Sequence, residues 1–133
     1  MSIFLDTSYL IAVSDKRDIN HERAKNIQEK LETLGTVFIS GQVFGEIVTF
    51  FNAEQGALKA RHIGAKIIES DTEIINIDFG LFQKSWQLFN QREKLSFTDC
   101  STIAVMREYG IKNIVTFDSG FNQFKNEINV LPE

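Results

Sequence analysis

The sequence predicts an α/β fold on a mainly parallel sheet. Short apolar runs rich in β-branched and aromatic residues alternate with amphipathic segments from end to end. The only proline is Pro132, so little interrupts regular structure. Aliphatic residues and twelve phenylalanines supply a core, and 133 residues bury enough of it to need no disulfide or metal for stability.

The elements follow in order. Ile3-Phe4-Leu5 reads as a buried strand that ends at the polar turn Asp6-Thr7-Ser8, after which Tyr9-Leu10-Ile11-Ala12-Val13 resumes as a short helix. From about 20 to 34, Ala24, Ile27, Leu31 and Leu34 recur at helical spacing with Glu and Lys opposite, and Gly35 ends that helix as a C-terminal glycine. Thr36-Val37-Phe38-Ile39 is a second strand. Ser40 and Gly41 open a helix through Phe51, and a further amphipathic stretch covers about 57 to 69. Glu73 to Asn76 is a short third strand. Asp78 is placed to cap a helix of about 79 to 92, with Leu81, Phe82, Ser85, Trp86 and Phe89 on one side. A helix of about 97 to 109 stops at Gly110, Asn113 to Phe117 is a fourth strand, and Ile128-Asn129-Val130 a fifth. Without repeats, linkers or low-complexity segments, residues 1–133 are expected to form a single domain.

Composition excludes several classes. Cys100 is alone and cannot form an internal bridge, which suits a reducing compartment. No apolar run approaches the roughly 20 residues of a membrane span, and Met1 to Leu5 lacks the form of a signal peptide, so a cytoplasmic protein is expected. The net charge of −4 argues against holding nucleic acid by bulk electrostatics. It leaves room for an enzyme that contacts RNA briefly and borrows positive charge from a metal ion.

In an open parallel sheet, ligands bind beyond the carboxyl ends of the strands, where the chain order reverses. Asp6 directly follows the first strand and Asp118 the fourth; Glu46 and Asp99 sit early in helices. Each has an ordinary reading as a helix cap or surface acid, and Ser96-x-x-Asp99 resembles a capping box. Glu46 is harder to read that way, because Phe44, Ile47, Val48, Phe50 and Phe51 around it make a mostly apolar helix.

These residues carry a resemblance. Ile3 to Ile11 looks like the opening of PIN-domain proteins: a hydrophobic strand, Asp-Thr/Ser-Ser, then an apolar helix. Gly45-Glu46-Ile47 resembles the family's acid on the helix after strand two. Leu95 to Ala104, containing Asp99, is similar to its Asp-bearing helix start, and Thr116-Phe117-Asp118-Ser119-Gly120-Phe121 to the end of its fourth strand. The four motifs fall in family order and span residues 2 to 131. Cys100, where the family often has a small residue such as Ala, is a minor departure.

The resemblance implies a PIN-like three-layer α/β/α sandwich with a mainly parallel four- to five-stranded sheet. It implies a metal-dependent endoribonuclease with Asp6, Glu46, Asp99 and Asp118 as metal-binding and catalytic residues, supported by Thr116, Thr7 and Ser8. Its products would carry a 5′-phosphate and a 3′-hydroxyl. Carboxylates about 5 Å apart repel by roughly 3 kcal/mol per pair at an effective dielectric near 20, so such a cluster calls for a hard cation. Oxygen ligands favour Mg²⁺ or Mn²⁺ over Zn²⁺.

Proteins of this length resemble the VapC-type toxins, which cut tRNA or rRNA and are silenced by an antitoxin. The apolar helix of about 43 to 51 is read either as buried between layers or as an antitoxin groove or homodimer contact. Lys16, Arg17, Arg92 and Lys94 are candidates for RNA contacts. His21 and His62 lie in charged helix segments and read as solvated, which disfavours a histidine-paired, metal-free ribonuclease. The competing reading is a catalytically inactive PIN-fold module that binds RNA or protein; retention of all four acids disfavours it. A flap nuclease acting on DNA would be larger.

Overall fold

A computed structural model describes residues 1–133. The chain runs β1 (Ser2–Leu5), α1 (Thr7–Ser14), α2 (His21–Leu34), β2 (Thr36–Ser40), α3 (Gly41–Gln55), α4 (Ala57–Glu69), β3 (Glu73–Ile75), α5 (Phe79–Gln91), α6 (Phe97–Tyr109), β4 (Asn113–Val115), a 3-10 turn (Ser119–Phe124) and β5 (Asn129–Leu131). The strands form one sheet in the order β3-β2-β1-β4-β5, and every pairing is parallel. Phe4 is central, in register with Phe38 on one side and Ile114 on the other. Right-handed crossovers put α1 to α4 on one face and α5 and α6 on the other, giving three layers.

Packing follows residue type. Ile3 and Phe4 are fully buried, as expected of a central parallel strand covered on both faces. Helix α6 is buried at every position from Cys100 to Met106, so it is an internal element rather than a one-sided amphipathic one. Twenty-nine apolar residues form one continuous core cluster. Between α3 and α4, Gly64 lets Phe44 and Val48 approach to the point where a Cβ would stand 3.3 and 3.4 Å from their side chains. The apolar excess of α3 is therefore largely covered by α4, and that helix runs four residues beyond Phe51.

Several boundaries depart from expectation. Strand β4 stops at Val115: the Thr116 amide still donates to Leu131 O, but the Asp118 amide then bonds Thr116 Oγ1 and turns the chain out of the sheet. Strand β5 begins one residue late because Ile128 donates to Phe124 O and belongs to the preceding turn. Strand β3 ends at Ile75. Gly35 does follow α2, but with φ 150° and ψ −157° rather than as a left-handed cap; a Cβ there would overlap the Met1 carbonyl, which accepts the Thr36 amide.

Helix α5 divides its apolar residues. Leu81, Ser85 and Leu88 face inward, whereas Phe82, Trp86 and Phe89 turn outward beside Phe79, so the expected single apolar side is two sides. His21 is not a solvated face residue: its Nδ1 lies 2.7 Å from Ala12 O, joining the start of α2 to α1. His62 is exposed as expected. No helix is long and apolar enough to cross a membrane.

Candidate active site

The sheet order reverses between β1 and β4, and the carboxyl ends of these two strands build the centre of the site. Asp6 extends their pairing by one bond, its amide donating to Val115 O at 3.0 Å. The side chain is only 3% exposed. Its Oδ2 accepts the Ser8 hydroxyl at 2.6 Å, the Thr116 hydroxyl at 2.7 Å and the Ser8 amide at 3.3 Å. Each hydroxyl has one proton, and each also accepts an amide: Phe117 N bonds Ser8 Oγ and Asp118 N bonds Thr116 Oγ1. Both protons are thus directed at Asp6, and the 3.1 Å approach of Ser8 Oγ to Thr116 Oγ1 follows from the shared acceptor. Burial raises the Asp6 pKa, opposed by these hydrogen bonds.

Asp99 arrives from the other layer at the N-terminus of α6. Ser96 caps that helix, its Oγ accepting the Asp99 amide at 3.0 Å, and Asp99 Oδ2 accepts the Ser96 amide at 3.0 Å. The capping reading of this motif therefore holds alongside any functional one. The Asp99 carboxyl is pushed up to about 6, first by burial and then by the charges of Asp6 and Asp118. Asp118 in turn caps the 3-10 turn, Oδ1 accepting the Gly120 amide at 2.8 Å. Glu46, exposed on α3, accepts the Thr7 hydroxyl on Oε1 at 2.7 Å.

One feature unites the four acids. Each spends one carboxylate oxygen on protein donors and leaves its other oxygen without one: Asp6 Oδ1, Glu46 Oε2, Asp99 Oδ1 and Asp118 Oδ2. The side chains are thereby oriented but not saturated. The charges of Asp6 and Asp118 both act on Asp99, and Glu46 is tied to the residue after Asp6 through the Thr7 hydroxyl. No three His, Cys, Asp or Glu side chains close into a cage around one point. A hard, all-oxygen donor set of this kind suits Mg²⁺ or Mn²⁺ with water completing the shell, the usual manner of holding Mg²⁺.

Two of the four basic candidates are engaged elsewhere. Arg17 pairs with Asp15 at 3.3 Å, and Arg92 stacks over Phe124 at 4.6 Å. Lys16 and Lys94 are exposed, Lys94 with a φ of 63°. Two residues of the site gave little sign of their roles in the sequence. Gly120 allows the Asp118 turn to pack against Leu95 and the Lys94 carbonyl, where a Cβ would stand 3.0 and 3.1 Å away. Arg23 lies over the Phe117 ring at 5.5 Å; a helix-face arginine gives no sequence signal for such a contact.

The comparisons agree with this architecture. The PIN-domain family model matches residues 3–127. The 23S rRNA-specific endonuclease VapC20 of Mycobacterium tuberculosis is 29% identical over 122 residues, covering 90% of this chain and 92% of that protein. The crystal structure of that protein, described as a Sarcin-Ricin loop cleaving toxin, superposes with a TM-score of 0.84 at 27% identity, over 92% of this chain and 94% of the other. The structure of VapBC2 from Rickettsia felis, bound to a DNA fragment of its promoter, shares the fold with a TM-score of 0.73 at 18% identity, over 98% and 97%.

Proposed function

The chain belongs to the PIN-domain family, and from that premise we propose that it is a Mg²⁺- or Mn²⁺-dependent endoribonuclease, the toxin of a toxin–antitoxin pair. The observation that carries this reading is the set of four carboxylates at the sheet's switch point, each anchored through one oxygen and free at the other. Such groups are pre-oriented for a cation and cost little reorganisation when it binds. The relative at 29% identity supports RNA, and ribosomal RNA in particular, as the substrate class.

Within this reading each residue has a physical task. Asp6, Asp99 and Asp118 would hold the ion through their free oxygens, and Glu46 would bind it or orient the attacking water. A bound Mg²⁺ or Mn²⁺ lowers the pKa of a water and offsets the charge developing on the phosphate. Ser8 and Thr116 donate both their protons to one oxygen of the buried Asp6 carboxyl, which favours its charged form against the opposing effect of burial. Thr7 fixes the rotamer of Glu46, which is otherwise free on the surface of α3.

An antitoxin is the expected partner, as in the solved toxin–antitoxin assemblies that share this fold. The chain also offers surface suited to association. Phe79 and Trp86 are 72% and 53% exposed, and with Phe82, Phe89 and Phe97 they form a contiguous run of stacked and edge-on rings. Exposed apolar patches of this kind mark contact surfaces.

The test is cleavage of ribosomal RNA and of a Sarcin-Ricin loop hairpin by purified protein in Mg²⁺ or Mn²⁺. Discrete cuts that disappear with EDTA and with Asp99→Asn are the expected outcome. Cutting that survives both would remove the acidic site from the reaction. Intact RNA with demonstrable metal binding would favour the binding-module reading.

A further inference from the structure

Beside Glu46 an open cleft of about 500 Å³ lies between α1 and α3, lined by Thr7, Ile11, Gly45, Glu46, Thr49 and Phe50. Its size falls in the range of small-ligand sites, roughly 300–1,000 Å³. Its floor contains an anomaly. Gly45 lies inside a fifteen-residue helix, where glycine is less stable than alanine. Among the eight glycines of the chain, it alone has neither a positive φ nor any atom within 4 Å of where a Cβ would stand. Neither backbone geometry nor packing accounts for it. What its missing side chain does is keep the cleft open directly alongside Glu46.

The walls define the occupant. Phe50 is half-buried and packed edge-to-face with the fully buried Phe51, with ring centroids 5.1 Å apart and planes at 88°, so its ring is held at a fixed angle where it lines the cleft. Ile11 supplies a second apolar wall from α1. The Glu46 carboxylate at the rim repels a phosphate, whereas an uncharged heteroaromatic ring fits between apolar walls. Resting on the nuclease reading above, we propose that this cleft receives the base of the nucleotide next to the scissile phosphate, stacked on Phe50 and admitted by Gly45.

The cleft also sets a preference. Thr7 has directed its proton at Glu46, so Thr7 Oγ1 and Glu46 Oε1 can meet a ligand only as acceptors, Oε2 being left for the ion or its water, and Thr49 is the one side chain free to donate. An acceptor-rich wall favours adenine, guanine and cytosine, whose exocyclic amino groups each carry two donors, over uracil, whose base edge offers the single N3–H.

The test uses a pool of short RNAs of randomised sequence, cut in Mn²⁺ by the wild type, Gly45→Leu, Phe50→Leu and Asp99→Asn, with the cut ends sequenced. Wild-type cuts should show uracil depleted at one position flanking the break. Gly45→Leu fills the cleft with a better helix former, so its Tm should equal or exceed that of the wild type. Its KM should rise about ten-fold and the uracil depletion should flatten; Phe50→Leu, which keeps apolar bulk but loses the flat face, should do the same. An unchanged KM and an unchanged base distribution in Gly45→Leu would overturn the proposal. So would unchanged cleavage accompanied by loss of antitoxin binding, which would give the cleft to a protein partner. A wild type that cuts nothing, or an Asp99→Asn that cuts normally, would instead defeat the nuclease reading itself and the base site with it.

Discussion

Asp99 carries the clearest electrostatic signature in the molecule, a carboxyl raised to about 6 by burial and by two neighbouring acids. Its folded pKa lies above the unfolded value, so between about pH 4 and 6 the folded state binds more protons than the unfolded one. Stability of the metal-free protein therefore falls as pH rises through that window and stays low above it. The side chain is partly solvated, so the effect is smaller than the ~1.4 kcal/mol per pKa unit of a fully shielded group. Thermal melts in EDTA should show a higher Tm at pH 5 than at pH 7. Asp99→Asn should raise the Tm at pH 7 and remove the Asp99 share of that difference, the raised pKa of buried Asp6 supplying the rest; a variant that keeps the full pH dependence would contradict the assignment. Thr116 is the complementary case. Thr116→Val removes a donor to buried Asp6 and an acceptor for the Asp118 amide, at a cost of roughly 1–3 kcal/mol in stability. Cleavage should fall with it, while Thr116→Ser should restore both in urea melts and activity assays.

At the scale of elements, the ends of β1 and β4 and the early turns of α3 and α6 deliver the acids from different layers. Helix α6 is buried on all sides between Cys100 and Met106, so its position is set by the core and its first turn by the capping box. Ser96→Ala should cost about 1 kcal/mol and loosen Asp99, lowering metal affinity as well as Tm; titration with Mn²⁺ separates the two effects. In α3 the alternation is finer. Val43, Ile47 and Phe51 enter the core, Phe44 and Val48 meet α4 across Gly64, and Gly45, Glu46, Thr49 and Phe50 remain for the cleft. One helix thus serves the core, a neighbouring helix and the site along three stripes.

For the whole molecule, the acidic site and the net charge of −4 point the same way. A cation that binds only the folded state stabilises it by mass action, and here it also relieves repulsion among Asp6, Asp99 and Asp118. Mg²⁺ or Mn²⁺ should therefore raise the Tm at pH 7, by more than the same ionic strength of NaCl and by less in Asp99→Asn. Equal shifts in the two proteins would mean that the ion binds elsewhere.

The order of elements was legible in the sequence because local signals agreed: α4 covers the amphipathic stretch expected at about 57 to 69, and α6 runs from Phe97 to Tyr109 and stops at Gly110. The four acids were legible as well, since strand ends and capping motifs are local features. The boundaries at β4 and β5 were not, because they depend on which amide finds Thr116 Oγ1 or Phe124 O across the fold. Nor was the division of α5: period alone leaves Phe82 and Trp86 beside Leu81 and Ser85, and only α6 packing on one side decides which are covered. The sequence by itself determined the fold class and the placing of acids at strand and helix ends, both written in local pattern. Tertiary structure alone decided that each acid keeps one oxygen free, that Thr7 ties Glu46 down, and that Gly45 lines a cleft. Those facts rest on distances between residues far apart in the chain, which no local pattern encodes.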